Sequence, residues 1–191
     1  MGAIYHFINV AKIYDPFVEA TKNARPDFLN PPETIRAVIC HLQRKSDSKY
    51  LLLRKAKGKF GEGFWNAPGG KIERGESPEH AAIREVFEET SLVISNLEMC
   101  GELEFYFGED KVKPDWTAVV FKTKCFEGDP KMEGEEGMLR WFDEKDFPMK
   151  EMWEDDRYWL PFMFRGVRFR GSFRFTSDSK RLVSHSLEKL Q

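Results

Sequence analysis

Residues 70–92 read GKIERGESPEHAAIREVFEETSL, and this stretch decides how the rest of the chain is understood. Ser77 can cap a helix whose first residue is Pro78, because proline's missing amide is no loss there and its fixed φ suits the first turn. The spacing predicts a helix to about Thr90, with Ala82, Ile83, Val86 and Phe87 as its buried stripe. Glu85, Glu88 and Glu89, at i, i+3 and i+4, then project together from another face. Three like charges on one patch repel unless a cation joins them. A hard divalent ion such as Mg²⁺ favours carboxylate oxygens and keeps water and phosphate as its remaining ligands. Arg84 can pair with Glu88 one turn on or orient a glutamate from behind. Taken alone, three glutamates also read as a solvated acidic face. The preceding Asn66-Ala67-Pro68-Gly69-Gly70 shifts the balance, since paired glycines let backbone approach a ligand closely.

The full spacing is G-x5-E-x7-R-E-V-x-E-E-x-S-L, running from Gly70 through Glu76 and Arg84 to Leu92. It resembles the signature of the Nudix hydrolases, with every charged position present. The resemblance implies an α/β (α+β) fold, an α/β/α sandwich around a mixed sheet. It also implies that Glu85, Glu88 and Glu89 bind Mg²⁺, with Mn²⁺ able to substitute, helped by the Gly70 carbonyl. Arg84 would orient Glu85, and Glu76 would support the loop. Ser91 stands where the family has glycine just past the helix, so a remodelled C-terminal turn is expected. Nudix enzymes hydrolyse a nucleoside diphosphate linked to another group by attack of water on phosphorus. Metal ions on such a carboxylate cluster neutralise phosphate oxygens and lower the pKa of bound water. Which glutamate takes the proton stays open.

At 191 residues and 41% hydrophobic content the chain can bury one sizeable core without a second domain. A net charge of −2 argues against a broad grip on nucleic acid, and none is expected as a partner. Arg165, Arg168, Arg170 and Arg174 are interleaved with apolar residues and read as a solvated strand face. Cys40, Cys100 and Cys125 are widely spaced and odd in number, which reads as reduced thiols in a soluble intracellular, cytoplasmic protein. His6, His41, His80 and His185 are isolated and read as surface or packing residues, so no zinc site is expected. No membrane span or signal segment is expected, and His6 breaks the myristoylation pattern. The sequence assigns no oligomeric state.

Residues 1–33 read as an N-terminal extension, too apolar around Phe7, Ile8, Phe17 and Val18 for a free tail and so expected to dock on the body. Residues 34–191 read as the hydrolase domain. Within it, residues 34–41 and 50–54 predict a hairpin around the polar turn 44–48. Further strands are expected at 97–107, 117–126 and 138–142, and an antiparallel pair at 168–175 and 181–187.

Trp153-Glu154-Asp155-Asp156 reads by itself as an amphipathic helix start, tryptophan inward and acids in water. Together with Gly61-x-Gly63-x-Trp65-Asn66 and residues 169–175, however, it resembles the oxidised-purine nucleoside triphosphatases of animals within the same family. That resemblance implies a small-molecule nucleotide substrate, with Asn66, Asp155 and Asp156 hydrogen-bonding the base. Trp153 would stack on the base, and Phe60 and Phe105 would line the pocket. Adjacent carboxyls in a dry pocket resist joint ionisation, so one can donate while the other accepts. Trp116 takes a position held by methionine in those enzymes and is expected to narrow the pocket. Ala67-Pro68 replaces a Gly-Phe pair and stiffens the loop. Glu136 aligns with an additional acid near the metal and reads equally well as a loop acid in solvent. Other readings are a Nudix hydrolase of ADP-ribose or a dinucleoside polyphosphate, and a non-catalytic nucleotide sensor.

Overall fold

The computed structural model describes residues 33–190, and residues 34–191 form one compact unit. The expected docking of the N-terminal extension falls on residues 1–32, outside the described ones. Twelve strands and two helices follow in order: β1 Ile35–Leu42, β2 Tyr50–Lys55, β3 Trp65–Asn66, β4 Gly69–Lys71, α1 Pro78–Thr90, β5 Val93–Ser95, β6 Glu98–Phe107, β7 Trp116–Thr123, β8 Cys125–Glu127, β9 Glu133–Gly134, β10 Gly137–Phe142, α2 Asp156–Phe164, β11 Phe169–Phe175 and β12 Leu182–Lys189. Short 3₁₀ turns at Glu144–Asp146 and Met149–Glu151 lead into α2. Among the described residues no helix is long and apolar enough to cross a membrane.

The main sheet has the order β12-β11-β6-β7-β1-β4. It is mixed, as expected: β1 runs parallel to β7 and β6 parallel to β11, while the other neighbours are antiparallel. Strand periodicity sorts β1 between two cores. Val38, Cys40 and Leu42 join Ala81, Ala82 and Val86 of α1 on one face. Ala37 and Ile39 face the cluster around Trp159, Leu160 and Met163 of α2. A helix therefore covers each face, and the α/β/α sandwich expected from the sequence is what forms. Of the four arginines read as a solvated strand face, only Arg170 and Arg174 lie on β11, the second half-buried against the Gly108 carbonyl; Arg165 ends α2 and Arg168 precedes the strand. Phe169, Phe173 and Phe175 are buried while Arg170 alternates outward and pairs with Glu102 at 2.9 Å.

The predicted hairpin is half right. Its turn closes through Arg44 N–H to Lys49 O, 2.8 Å, and the Arg44–Asp47 ion pair. The two strands then part after a single bridge between Gln43 and Tyr50. Both edges of β1 are taken by β4 and β7, so β2 joins a second, antiparallel sheet of order β3-β2-β10-β9. Residues 117–126, read as one strand, divide at Lys124 into β7 and β8, the latter pairing with β5. The strand pair near the C-terminus forms as read, β11 with β12.

Helix α1 starts and stops where the sequence places it, and the Ser77 hydroxyl accepts from His80 N–H at 3.2 Å. Two details differ from expectation. The turn after it is not remodelled: Ser91 itself adopts the left-handed conformation, φ 65° and ψ 14°, and its N–H reaches Phe87 O at 2.8 Å. The buried face is Ala81, Ala82, Val86 and Thr90, while Ile83 is half-buried and Phe87 is 53% exposed. The helix is rotated so that Glu85 and Glu89, not Phe87, turn toward the main sheet.

Candidate active site

That rotation is fixed by hydrogen bonds to the loop before α1. Pairing of Val38 with Gly70 and Ile39 with Gly69 lays the glycine pair along β1. The Gly69 N–H donates to Glu89 Oε2 at 3.0 Å. Close approach requires glycine at position 69, where a Cβ would lie 2.1 Å from the Val38 carbonyl oxygen, while a Cβ on Gly70 would lie 2.5 Å from the Glu85 carboxylate and push it from its place. Arg84 lies behind the carboxylates. Its guanidinium donates to both Glu76 oxygens, 3.0 and 2.9 Å, to Lys71 O at 2.9 Å, to Glu85 at 2.8 Å and to Glu88 at 3.3 Å. A planar fork can make all of these contacts at once; an ammonium cannot. These bonds hold Glu76 below the usual carboxylate range and Arg84 firmly protonated.

Glu85 and Glu89 are mostly shielded from water, and burial is the main cause pushing both carboxyls up, opposed by Arg84 at Glu85 and by Lys55 at Glu89. Both line one cavity of about 410 Å³, with Gly70 and Glu136. Glu88 stands apart, half in solvent beside Arg84. Among the described residues no three His, Cys, Asp or Glu side chains close on a common point as they stand. The protein's own cations hold them instead: Lys55 Nζ sits on Glu89 and Lys59 Nζ on Glu136, the latter at 2.6 Å. The donor set is all oxygen, its carboxylates already accept cations, and Gly70 leaves the room a side chain would fill. These residues fit a hard divalent ion.

The other end of the same cavity gathers every residue assigned to the base by the sequence: Asn66, Phe60, Phe105, Trp116, Trp153, Asp155 and Asp156. Phe60 lies between two indoles, stacked on Trp116 at 5.1 Å and on Trp153 at 5.5 Å. Asn66 donates to Phe64 O at 3.2 Å, leaving its own carbonyl free of protein donors. Asp155 and Asp156 open α2 and are both buried, 2% and 7% exposed, so the solvated helix start is not what forms. Asp155 Oδ2 accepts from the Trp159 indole N–H at 2.9 Å. Burial raises Asp155 to about 6, and burial together with the neighbouring Asp155 charge raises Asp156 well above its ordinary value. At neutral pH the pair holds a donor beside an acceptor.

Several cavity residues escaped the sequence reading, Lys55, Lys59 and His41 among them. Lys55 and Lys59 lie in the run Lys55-Ala56-Lys57-Gly58-Lys59, whose alternating cations before a glycine loop were the available signal. His41 lines the cavity from the α2 side of β1, and nothing local marks it, because a histidine in an apolar strand reads as packing.

The family description "NUDIX domain" matches residues 33–163. The chain is 37% identical over 142 residues to an oxidized purine nucleoside triphosphate hydrolase of Danio rerio, covering 74% of this chain and 88% of that one. It is 36% identical over 155 residues to an uncharacterized Nudix hydrolase of Bacillus subtilis, covering 80% and 94%. In three dimensions it is similar to the crystal structure of a MutT protein from Bacillus halodurans, with a TM-score of 0.69 at 29% identity over 81% of this chain and 97% of that one. With its signature helix, its sandwich and this match over most of its length, the chain belongs to the Nudix family of hydrolases.

Proposed function

We propose that this hydrolase cleaves oxidised purine nucleoside triphosphates, of the 8-oxo-dGTP and 2-hydroxy-dATP type, to monophosphate and pyrophosphate, and so removes them before polymerases can use them. Nudix enzymes act on small-molecule nucleotides and generally use divalent metal ions; we take the ion here to be Mg²⁺, with Mn²⁺ able to replace it. The observation that carries the substrate reading is the buried Asp155–Asp156 pair in the same cavity as Glu85 and Glu89. A protonated carboxyl beside an ionised one can donate to one atom of an oxidised base edge and accept from the next. An unmodified base of the wrong polarity leaves one of them unpaired in a dry pocket, which is where discrimination is strongest. The indoles and Phe60 supply stacking area with little preference among bases.

Glu85 and Glu89, with Glu88, Glu136 and the Gly70 carbonyl, would hold a divalent ion, which would neutralise phosphate charge and make bound water a better nucleophile. Arg84, braced by Glu76 and the Lys71 carbonyl, orients the Glu85 carboxylate for the ion it would hold. Lys55 and Lys59 line the path between the two ends, where triphosphate oxygens can replace Glu89 and Glu136 as their partners. Water adds to phosphorus as the P–O bond to the leaving pyrophosphate or nucleotide breaks, and a carboxylate takes the water's proton.

The test is hydrolysis of 8-oxo-dGTP, 2-hydroxy-dATP, dGTP and ADP-ribose in parallel with Mg²⁺, comparing kcat/KM. Preference for either oxidised triphosphate is expected; preference for ADP-ribose, or none, sinks the substrate reading. Glu85→Gln and Glu89→Gln are each expected to lower kcat by about 1,000-fold, ~4 kcal/mol of barrier, while keeping the fold. Full activity in both would remove the carboxylates from the chemistry.

A further inference from the structure

His41 is 1% exposed, and neither Nδ1 nor Nε2 has a hydrogen-bond partner. These are the only buried side-chain nitrogen or oxygen atoms among the described residues in that condition. The ring stands edge-on to Trp159, centroids 5.7 Å apart at 69°, and to Tyr50 at 6.3 Å and 81°. Trp159 is the residue whose indole N–H holds Asp155. His41 thus backs the carboxyl pair one ring away, on the wall of the same cavity. Burial with no acid beside it pushes its pKa down to about 3. The imidazole is therefore neutral at working pH, with one N–H and one bare nitrogen.

Leaving both nitrogens unmet costs stability, a cost that leucine at this position would not carry. The imidazole borders the cavity, and both nitrogens are closed to solvent as they stand, so a small turn of the ring must open one of them to a partner there. We propose that His41 is a specificity-determining residue of the base pocket, hydrogen-bonding the inner edge of the bound purine directly or through one bridging water. With Asp155 and Asp156 it completes the groups that tell an oxidised base from an unmodified one. The proposal rests on the nucleotide reading above. Oxidation of guanine at C8 adds a carbonyl acceptor and turns the N7 acceptor into an N–H donor. A neutral imidazole carries a complement to either, and the tautomer is free to follow the ligand because nothing in the protein fixes it.

The experiment is calorimetric binding of 8-oxo-dGMP and dGMP, without metal, to the full chain and to His41→Leu, His41→Phe and His41→Gln, with the Tm of each. Removing the metal separates base recognition from the carboxylate helix. The wild type is expected to prefer 8-oxo-dGMP. His41→Leu and His41→Phe, the second keeping a ring against Trp159, are expected to weaken that ligand by about 10-fold and dGMP by less. His41→Gln, with a donor and an acceptor, is expected to retain most of the preference. His41→Leu is also expected to melt about 2–4 °C higher, since an unpaired buried group has gone. A merely structural histidine would give a lower Tm and equal losses for both nucleotides, which overturns the proposal. So does an undiminished preference in both His41→Leu and His41→Phe, and then the proposal alone is lost. A wild type without preference overturns the oxidised-purine reading, and this proposal with it.

Discussion

Asp155 sets the electrostatics of the pocket at the scale of a single residue. Its folded-state pKa of about 6 lies above its ordinary 3.8, because burial disfavours the charge more than the Trp159 N–H favours it. Between those values the native state holds a proton that the unfolded chain has released, so native stability falls as pH rises through that window. The favourable contribution is complete below about pH 4 and gone above about pH 6. Asparagine keeps an acceptor for Trp159 and has no charge to bury. Asp155→Asn is therefore expected to be more stable than wild type at pH 8, on the order of 3 kcal/mol in urea unfolding, with the gap closing near pH 4. The same variant should bind 8-oxo-dGMP more weakly. A variant no more stable at pH 8 would refute the buried-pair account. None of this burial was legible locally. Trp-Glu-Asp-Asp reads as a solvated helix start until β1, the 58–66 loop and β11 close around it, and only the resemblance pointed inward.

The helix is the scale at which the sequence spoke most clearly. Ser77, Pro78 and the i, i+3, i+4 glutamates fix its start, length and acidic face through local rules alone. Its rotation was not local. Phe87 is the more hydrophobic choice for burial, yet Glu89 is anchored to the Gly69 amide and Arg84 to the Lys71 carbonyl and Glu76, and those bonds turn Phe87 outward. Tertiary hydrogen bonds to a functional loop overrode the apolar stripe. Ser91 shows the same precedence. Its φ of 65° is one that glycine adopts freely and a side chain resists, and among the described residues its hydroxyl finds no compensating hydrogen-bond partner. Ser91→Gly is expected to stabilise the protein by about 0.5–1 kcal/mol, the relieved strain being partly offset by a more flexible unfolded chain. That corresponds to a Tm rise of about 1–4 °C in a calorimetric scan, with kcat unchanged. A lower Tm would mean that the serine makes a contact absent from this structure.

Across the whole molecule, no local pattern says which sheet a strand joins. β1 and β2 are both apolar and are joined by a good turn, yet they enter different sheets because the edges of β1 are filled from distant parts of the chain. The cavity that results is held together by ion pairs standing in for a ligand. Lys55 on Glu89 joins β2 of the second sheet to α1, and Lys59 on Glu136 joins two loops. An ion that binds only the native arrangement stabilises it by mass action, about 2.7 kcal/mol at 100 times its Kd. Mg²⁺ at that level is expected to raise Tm by about 5–10 °C over chelated protein, and Glu89→Gln to lose most of the rise. Lys55→Met separates the stand-in from the ligand. Without its ammonium, the mostly buried Glu89 carboxylate has lost its cation, so the chelated variant should melt below wild type. It should also show a larger rise with Mg²⁺, because the ion no longer displaces a competitor. Equal rises in wild type and Lys55→Met would show that the ion and the lysine do not share Glu89, and would move the metal away from the inner carboxylates.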